Sequence, residues 1–411
     1  MYKGWRIVAV GFLSMTVFSL TAFGMPVFVK PVTADLNWSR TGFMIGISLH
    51  GLFSSLGALV GGLLLDRLGG CTILTCGAIA MAAALAALGS IQHPAQFYIL
   101  CAILGVGLGL VGQIPVTAIV SRWFDRRRGV ALAIAMCGIT AGGFMAPIGS
   151  AHLISVIGWR STLRWLGLIT ALLAPVVLIV VREPRPGEVT DGKSKLRATL
   201  DQVREFPLGQ VLKTRSFWII FTSFFFVWFY TNSVIAHLVA YLSDSGYSNT
   251  HSARALSAML GLSVLGKFLF GPMADRIGAF STYIRLQLVI FTAAVFLRFI
   301  TLSPVFMVGF VLAHGLGLGG FLVLSGLVVS RRFGVSGGVF GAAMISMLPA
   351  SILAPIIPAR FYDLGWGYKP FFDLLIVCNF LSILLSVWLY FDSRQLQPEK
   401  VVTPELVRQG A

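Results

Sequence analysis

The chain has 411 residues, of which 57% are hydrophobic and only 11% charged, with a mean hydropathy of +0.87. Ordinary soluble domains carry about 25% charged residues, so these side chains are too few to clothe a water-facing surface. The net charge of +16 raises nucleic acid as a partner, a reading that its distribution along the chain argues against.

Apolar blocks of about 20 residues, long enough to cross a bilayer as helices, recur at 7–29, 41–65, 72–91, 95–120, 130–154, 163–181, 217–241, 253–273, 286–302, 304–329, 339–357 and 371–391. These are spans 1 to 12 of an expected all-α polytopic membrane protein. Their many glycines suit close helix packing in lipid, where small residues let backbones approach. Lys3 and Arg6 precede a stretch too long for a cleaved leader, so the first block is expected to stay as a helix. The five cysteines (Cys71, Cys76, Cys101, Cys137, Cys378) have neither metal nor redox spacing, and no metal or cofactor is expected.

With the N-terminus taken as cytoplasmic, 22 of the 31 Lys and Arg fall in cytoplasmic segments and 7 on the opposite side; Lys267 and Arg298 lie inside spans. That is the positive-inside bias, so the basic charge reports topology, with both termini cytoplasmic and lipid rather than nucleic acid as the partner. The longest water-compatible stretch, 182–215, separates six spans from six. The expected organisation is a six-helix bundle over 1–182, a cytoplasmic linker over 183–215, a second bundle over 216–391 and a cytoplasmic tail over 392–411.

The halves share sequence. Gly62-Leu-Leu-Leu-Asp66-Arg67-Leu-Gly69 follows span 2, and Gly271-Pro-Met-Ala-Asp275-Arg276-Ile-Gly278 follows span 8, an offset of 275 − 66 = 209 residues. Ser121-Arg122-Trp-Phe124 after span 4 and Ser330-Arg331-Arg-Phe333 after span 10 keep the same offset. Two motif pairs at one offset indicate two parallel six-helix repeats.

On these motifs the chain resembles the major facilitator superfamily over essentially its whole length, which implies two pseudo-symmetric bundles and secondary transport by alternating access. The resemblance gives Asp66, Arg67, Asp275, Arg276 and Arg122 the role of conformational-switch loops; the lesser alternative is a generic tight turn with Asp and Arg merely solvated. Three segments narrow it. Arg122-Trp-Phe124-Asp-Arg-Arg127-Arg128-Gly-Val-Ala131, Phe28-Val29-Lys30-Pro31 and Leu36-Asn37-Trp38-Ser39-Arg40-Thr41 resemble monocarboxylate transporters and the bacterial oxalate/formate antiporter-like group. The superfamily implies a monomer, and that branch a bacterial inner membrane, a small organic anion as cargo, and coupling to protons or to anion exchange. In span 8 the branch's Arg is replaced by Lys267 and its Asp by Ser263. A cation is kept as a point charge without the guanidinium fork, and the acid is lost.

An ionisable group inside a span is costly and is a site candidate. Lys267 is read as a carboxylate anchor on a face with Ser263, Gly266 and Gly271, or else as a residue snorkelling to headgroups. Lys30 reads as an outer-vestibule cation, and Arg298 as a snorkelling anchor. Tyr230, Ser233, His237 and Tyr241 share one helical face that turns to the cavity or to other helices. On the cavity reading, Tyr230 and Asn232 bond substrate and His237 carries a proton. His50 and His314 read as packing residues. Gln113 and Thr117 of span 4 line or pack. The Asp and Glu residues all fall in loops or near helix ends. No nucleotide-binding loop or nucleophile motif occurs, which leaves an exporter of hydrophobic compounds, a siderophore carrier and, remotely, a non-transporting sensor as alternatives.

Overall fold

The computed structural model describes residues 4–124, 127–182, 208–333 and 337–395, and every regular element among them is a helix. Long apolar stretches run over Gly4–Leu36, Arg40–Leu65, Arg67–Leu88, Pro94–Trp123, Gly129–Val180, Arg215–Asp244, Asn249–Ile277, Ala279–Arg298, Pro304–Phe333, Val339–Asp363 and Lys369–Asp392. The fifth of these eleven has 52 residues, twice what a bilayer needs. It is interrupted at Gly158, where φ 77 and ψ 163 leave the helical region, so it is two spans, and the crossings among the described residues number twelve. An even number puts residues 4 and 395 on one face, called the termini face below; the other is the far face.

Several boundaries differ from the hydropathy reading. Span 9 starts at Ala279 rather than 286, because Thr282 and Tyr283 are buried polar residues that lower the local hydropathy without ending the helix. The last helix continues to Gln395, past the expected end at 391. Span 1 tightens to a 3-10 turn over Met25–Phe28, with Pro26 in its first turn, and resumes as Val29–Leu36. Span 4 breaks at Gly112, whose ψ is −166, and a fresh helix runs over Gln113–Trp123. Span 11 is two pieces, Gly337–Met344 and Met347–Asp363. Pro358 has no N–H to give Ala354, and that carbonyl accepts Ser233 Oγ at 3.2 Å instead.

The 209-residue repeat is written in the backbone. Six of the seven positive-φ residues among those described pair at this offset, Asn37 with Gly246, Gly69 with Gly278 and Gly158 with Gly367, and Gly365 has no counterpart. The N-caps Ser39 and Ser248 also correspond, accepting from Gly42 N and His251 N. At Gly69 and Gly278, the last residues of the two Asp-Arg motifs, ψ is 157 and 151, a region essentially closed to residues with a Cβ. Those glycines let span 2 turn into span 3, and span 8 into span 9, without a loop. Buried apolar side chains form two clusters, one almost wholly from residues before 182 and one almost wholly from residues after 208.

Candidate functional site

The two halves meet along spans 2, 5, 8 and 11. Spans 5 and 8 run antiparallel, with Ile148 N donating to Ser257 Oγ at 3.3 Å and Gly261 leaving room for the Phe144 ring. Spans 2 and 11 are joined by Ser48 Oγ, which donates to Ile352 O at 2.8 Å. Ala236, Ala240 and Ala359 pack into the amino-terminal cluster, and Val27 and Ala151 into the carboxyl-terminal one. All these contacts lie at mid-height or toward the far face. Eleven residues beyond Ser257 on the same helical face, toward the termini face, Phe268 is 75% exposed. Eleven residues before Ile148 on the matching face of span 5, Cys137 is also exposed. The seam is shut toward the far face and splays toward the termini face.

A polar seal closes the far end. Arg40, at the start of span 2 and 7% exposed, sets Nη1 and Nη2 on the two Asp244 oxygens, the second at 2.9 Å. Its Nη1 also donates to Tyr368 Oη at 2.9 Å, and its guanidinium lies 3.7 Å from the Tyr362 ring centroid. Lys30 Nζ reaches Asp244 Oδ1 and Ser243 Oγ, both at 3.0 Å. Asp363 of span 11 accepts from Arg40 N at 3.2 Å and Thr41 N at 2.8 Å, capping span 2 from the opposite half. The bases come from one half and the acids from the other.

His237 extends the seal inward. Its Nε2 lies 2.8 Å from Pro355 O and its Nδ1 3.3 Å from Tyr368 Oη. A carbonyl only accepts, so Nε2 carries the proton and Nδ1 accepts from the Tyr368 hydroxyl. The chain of donors therefore runs from Arg40 to Tyr368 to His237 to Pro355. Tyr368 stands in the short loop before span 12, and burial pushes its phenol up, keeping it protonated as this chain requires.

The other residues singled out from sequence fall as follows. Lys267 is half-buried in span 8 and within electrostatic reach of Cys137 on span 5. Its backbone N and its expected neighbours meet the same partner. Ser263 and Gly266 press on span 10, where a Cβ on Gly319 would overlap the Ser263 carbonyl and one on Gly266 would overlap that of Leu316. The Tyr230 stripe turns to its own half: Tyr230 Oη lies 3.1 Å from His314 Nδ1, Ser233 bonds Ala354 O, and Tyr241 meets Tyr368 and Phe372 edge-on. Asn232, four residues before Ala236 and eight before Ala240, is on the face turned to the other half. Its Nδ2 donates to Trp228 O at 2.9 Å.

Gln113 is exposed and Thr117 half-buried on the short helix that starts inside span 4. Arg298, at the far-face end of span 9, sets Nε 2.7 Å from Asp373 Oδ1 at the start of span 12. Arg67, Asp275 and Arg276 are exposed on the termini face, and Arg122 is half-buried; the Asp66 side chain lies outside the described residues. The seal was missed from sequence because Arg40, Asp244 and Asp363 each read as an ordinary loop charge. The available signal was the pair of bases, Lys30 and Arg40, at far-face span ends of one half and the pair of acids, Asp244 and Asp363, at far-face span ends of the other.

A model described as Major Facilitator Superfamily matches residues 7–355. The chain belongs to this superfamily. This major facilitator is a membrane transporter rather than an enzyme. It is 27% identical over 402 residues to the MFS-type transporter pynF of Aspergillus niger, covering 93% of this chain and 88% of that one. It is 26% identical over 286 residues to the oxalate:formate antiporter of Oxalobacter formigenes, covering 68% of this chain and 65% of that protein. Among solved structures, a bacterial homologue of the human lysosomal transporter Spinster, inward-facing and occupied, superposes with a TM-score of 0.74 at 16% identity, covering 96% and 97% of the two chains. The nucleoside transporter NupG does so at 0.69 and 13%, covering 95% and 99%. At these identities the solved structures speak for the fold alone.

Proposed function

We propose that this transporter moves a small organic anion of the monocarboxylate kind across a bacterial inner membrane by alternating access, as a monomer with both termini cytoplasmic. The observation that carries the reading is the setting of Lys267. It is a cation ten residues inside the termini-face end of span 8, half-buried, within electrostatic reach of Cys137 on span 5 and without an ion pair among the described residues. In a region of low dielectric such a charge favours an anionic cargo. The helix Gln113–Trp123 supports this, because its first turn starts within the membrane and helix N-termini favour negative charge. Asn232 supplies a hydrogen-bonding group on the same interface, with Gln113 and Thr117 opposite. The oxalate:formate antiporter among the relatives is consistent with a carboxylate.

Coupling is assigned to His237 or to exchange of a second anion. A proton on His237 Nδ1 would face a hydroxyl that already accepts from Arg40, so protonation weakens the far-face seal. Tyr230 then acts indirectly, through His314 and the packing of span 10. The exposed motif residues Arg67, Asp275 and Arg276, with Asp66 and Arg122, serve the closing of the termini face.

The test is uptake of radiolabelled short carboxylates into proteoliposomes. Lys267→Ala is expected to abolish uptake while the purified protein remains monodisperse, and Lys267→Arg to keep part of it. Unchanged uptake by Lys267→Ala would falsify the site. A second reading, export of an apolar compound, is favoured by Phe144, Phe225, Trp228 and Phe268 along the interface and by the agnestins efflux protein among the relatives. Competition by acetate, formate and oxalate against a hydrophobic dye separates the two.

A further inference from the structure

We infer that Asp244 has a second partner, Lys369, and passes to it from Arg40 and Lys30 when the far face opens. The argument comes from the repeat and is independent of the cargo. Asp244 corresponds to Asp35, and Lys369 to Arg160, at the 209-residue offset. In the amino-terminal half that pair is made: Arg160 Nη2 lies 3.0 Å from Asp35 Oδ2, linking the end of span 1 to the start of span 6.

The backbone that creates this pair is repeated. Asp35 and Asp244 each stand two residues before a positive-φ residue, Asn37 or Gly246. Arg160 and Lys369 each stand two residues after one, Gly158 or Gly367. The carboxyl-terminal half therefore has the same frame and the same charges. In the closed state its acid is turned across the interface, and Lys369 is exposed with no ion pair among the described residues.

Rocking of the halves as rigid bodies separates Asp244 from Arg40 and Lys30 but leaves its distance from Lys369 under the control of one half. Closed and open states then exchange one ion pair for another. No carboxylate is left alone at the membrane boundary, and the far gate has two defined arrangements. Lys369 is a positioning residue for the transport cycle. It holds the gate open without touching cargo.

Ser48, whose hydroxyl is shut in the seam between the halves against Ile352 O, provides the reporter. In a chain lacking the five native cysteines, the alkylation rate of Ser48→Cys by a charged thiol reagent follows the far-open population. Lys369→Gln is expected to slow alkylation ~5-fold, the size of one exposed ion pair, and Lys369→Arg to restore the native rate. With Asp244→Asn in place, alkylation is fast and Lys369→Gln changes nothing. Overturning results are a Lys369→Gln rate equal to native when Asp244 is present, or the same slowing when it is absent. Because no substrate enters the measurement, failure here is distinct from failure of the anion reading.

Discussion

Arg40, at the first residue of span 2, holds both oxygens of Asp244, at the last residue of span 7, in a two-pronged ion pair that bridges the halves. Only a guanidinium can make this contact while also donating to Tyr368 and stacking on Tyr362. Arg40→Lys keeps the charge and loses the fork and the stacking. The seal should weaken by about 1–2 kcal/mol. Spin labels at exposed Gln92→Cys and Leu302→Cys, at the far ends of the two halves, should report a larger long-distance population than in the native chain.

Acid should open the same gate. The Arg40–Tyr368–His237–Pro355 chain needs a neutral imidazole with Nδ1 accepting, and Arg40, Lys30, Asp244, Asp363, Tyr241, Tyr362 and Tyr368 are the other charged or titratable groups nearby. Protonation puts a donor against a donor and a second positive charge near Arg40, so the closed state is disfavoured as pH falls. The same label pair should lengthen with acid in the native chain and respond less in His237→Gln. An identical pH response in both removes His237 from the coupling.

Gly278 carries φ 87 and ψ 151 at the turn between spans 8 and 9, with open space around its Cα. Gly278→Ala meets no steric neighbour and still should destabilise by about 1–3 kcal/mol through backbone strain. Gly271, the first residue of the same motif, is helical, and its Cβ would sit 3.8 Å from Val323. Gly271→Ala should be near neutral. Thermal midpoints of the purified variants decide between them.

Cys137 provides a probe beside Lys267 from the opposite half. In a chain retaining Cys137 alone, a thiol reagent should modify it readily from the termini face. A transported carboxylate should slow that reaction several-fold, and Lys267→Ala should remove the protection. Protection that survives Lys267→Ala would mean the cargo sits against Cys137 without using the lysine.

The architecture was legible because lipid imposes a simple code. A helix that satisfies its own backbone must stay apolar for about 20 residues, and the Asp66–Asp275 offset gives the repeat directly. Hydropathy could not see the kinks at Gly112 and Met25–Phe28, since a broken helix is as apolar as a continuous one. It also misread span 9, where Tyr283 and Gln287 are buried in a network with Ser223 and Ser382. Helical periodicity grouped Tyr230 with His237 correctly, but a face defined within one helix does not say which neighbour it meets. The seal was hidden for a different reason. Arg40 and Asp244 are 204 residues apart, and only the packing of the halves brings them together.

The contact between Phe144 and Gly261 lies near mid-height on two helices that run in opposite directions. A pivot there turns one mouth outward as it draws the other inward. Lys267 is six residues from that pivot, about 9 Å along the axis, so a tilt of about 20° carries it about 3 Å toward or away from span 5. That travel is comparable to the difference between gripping a small ion and letting it go. One crossing point thus links the width of the passage to the strength of the hold on whatever occupies it.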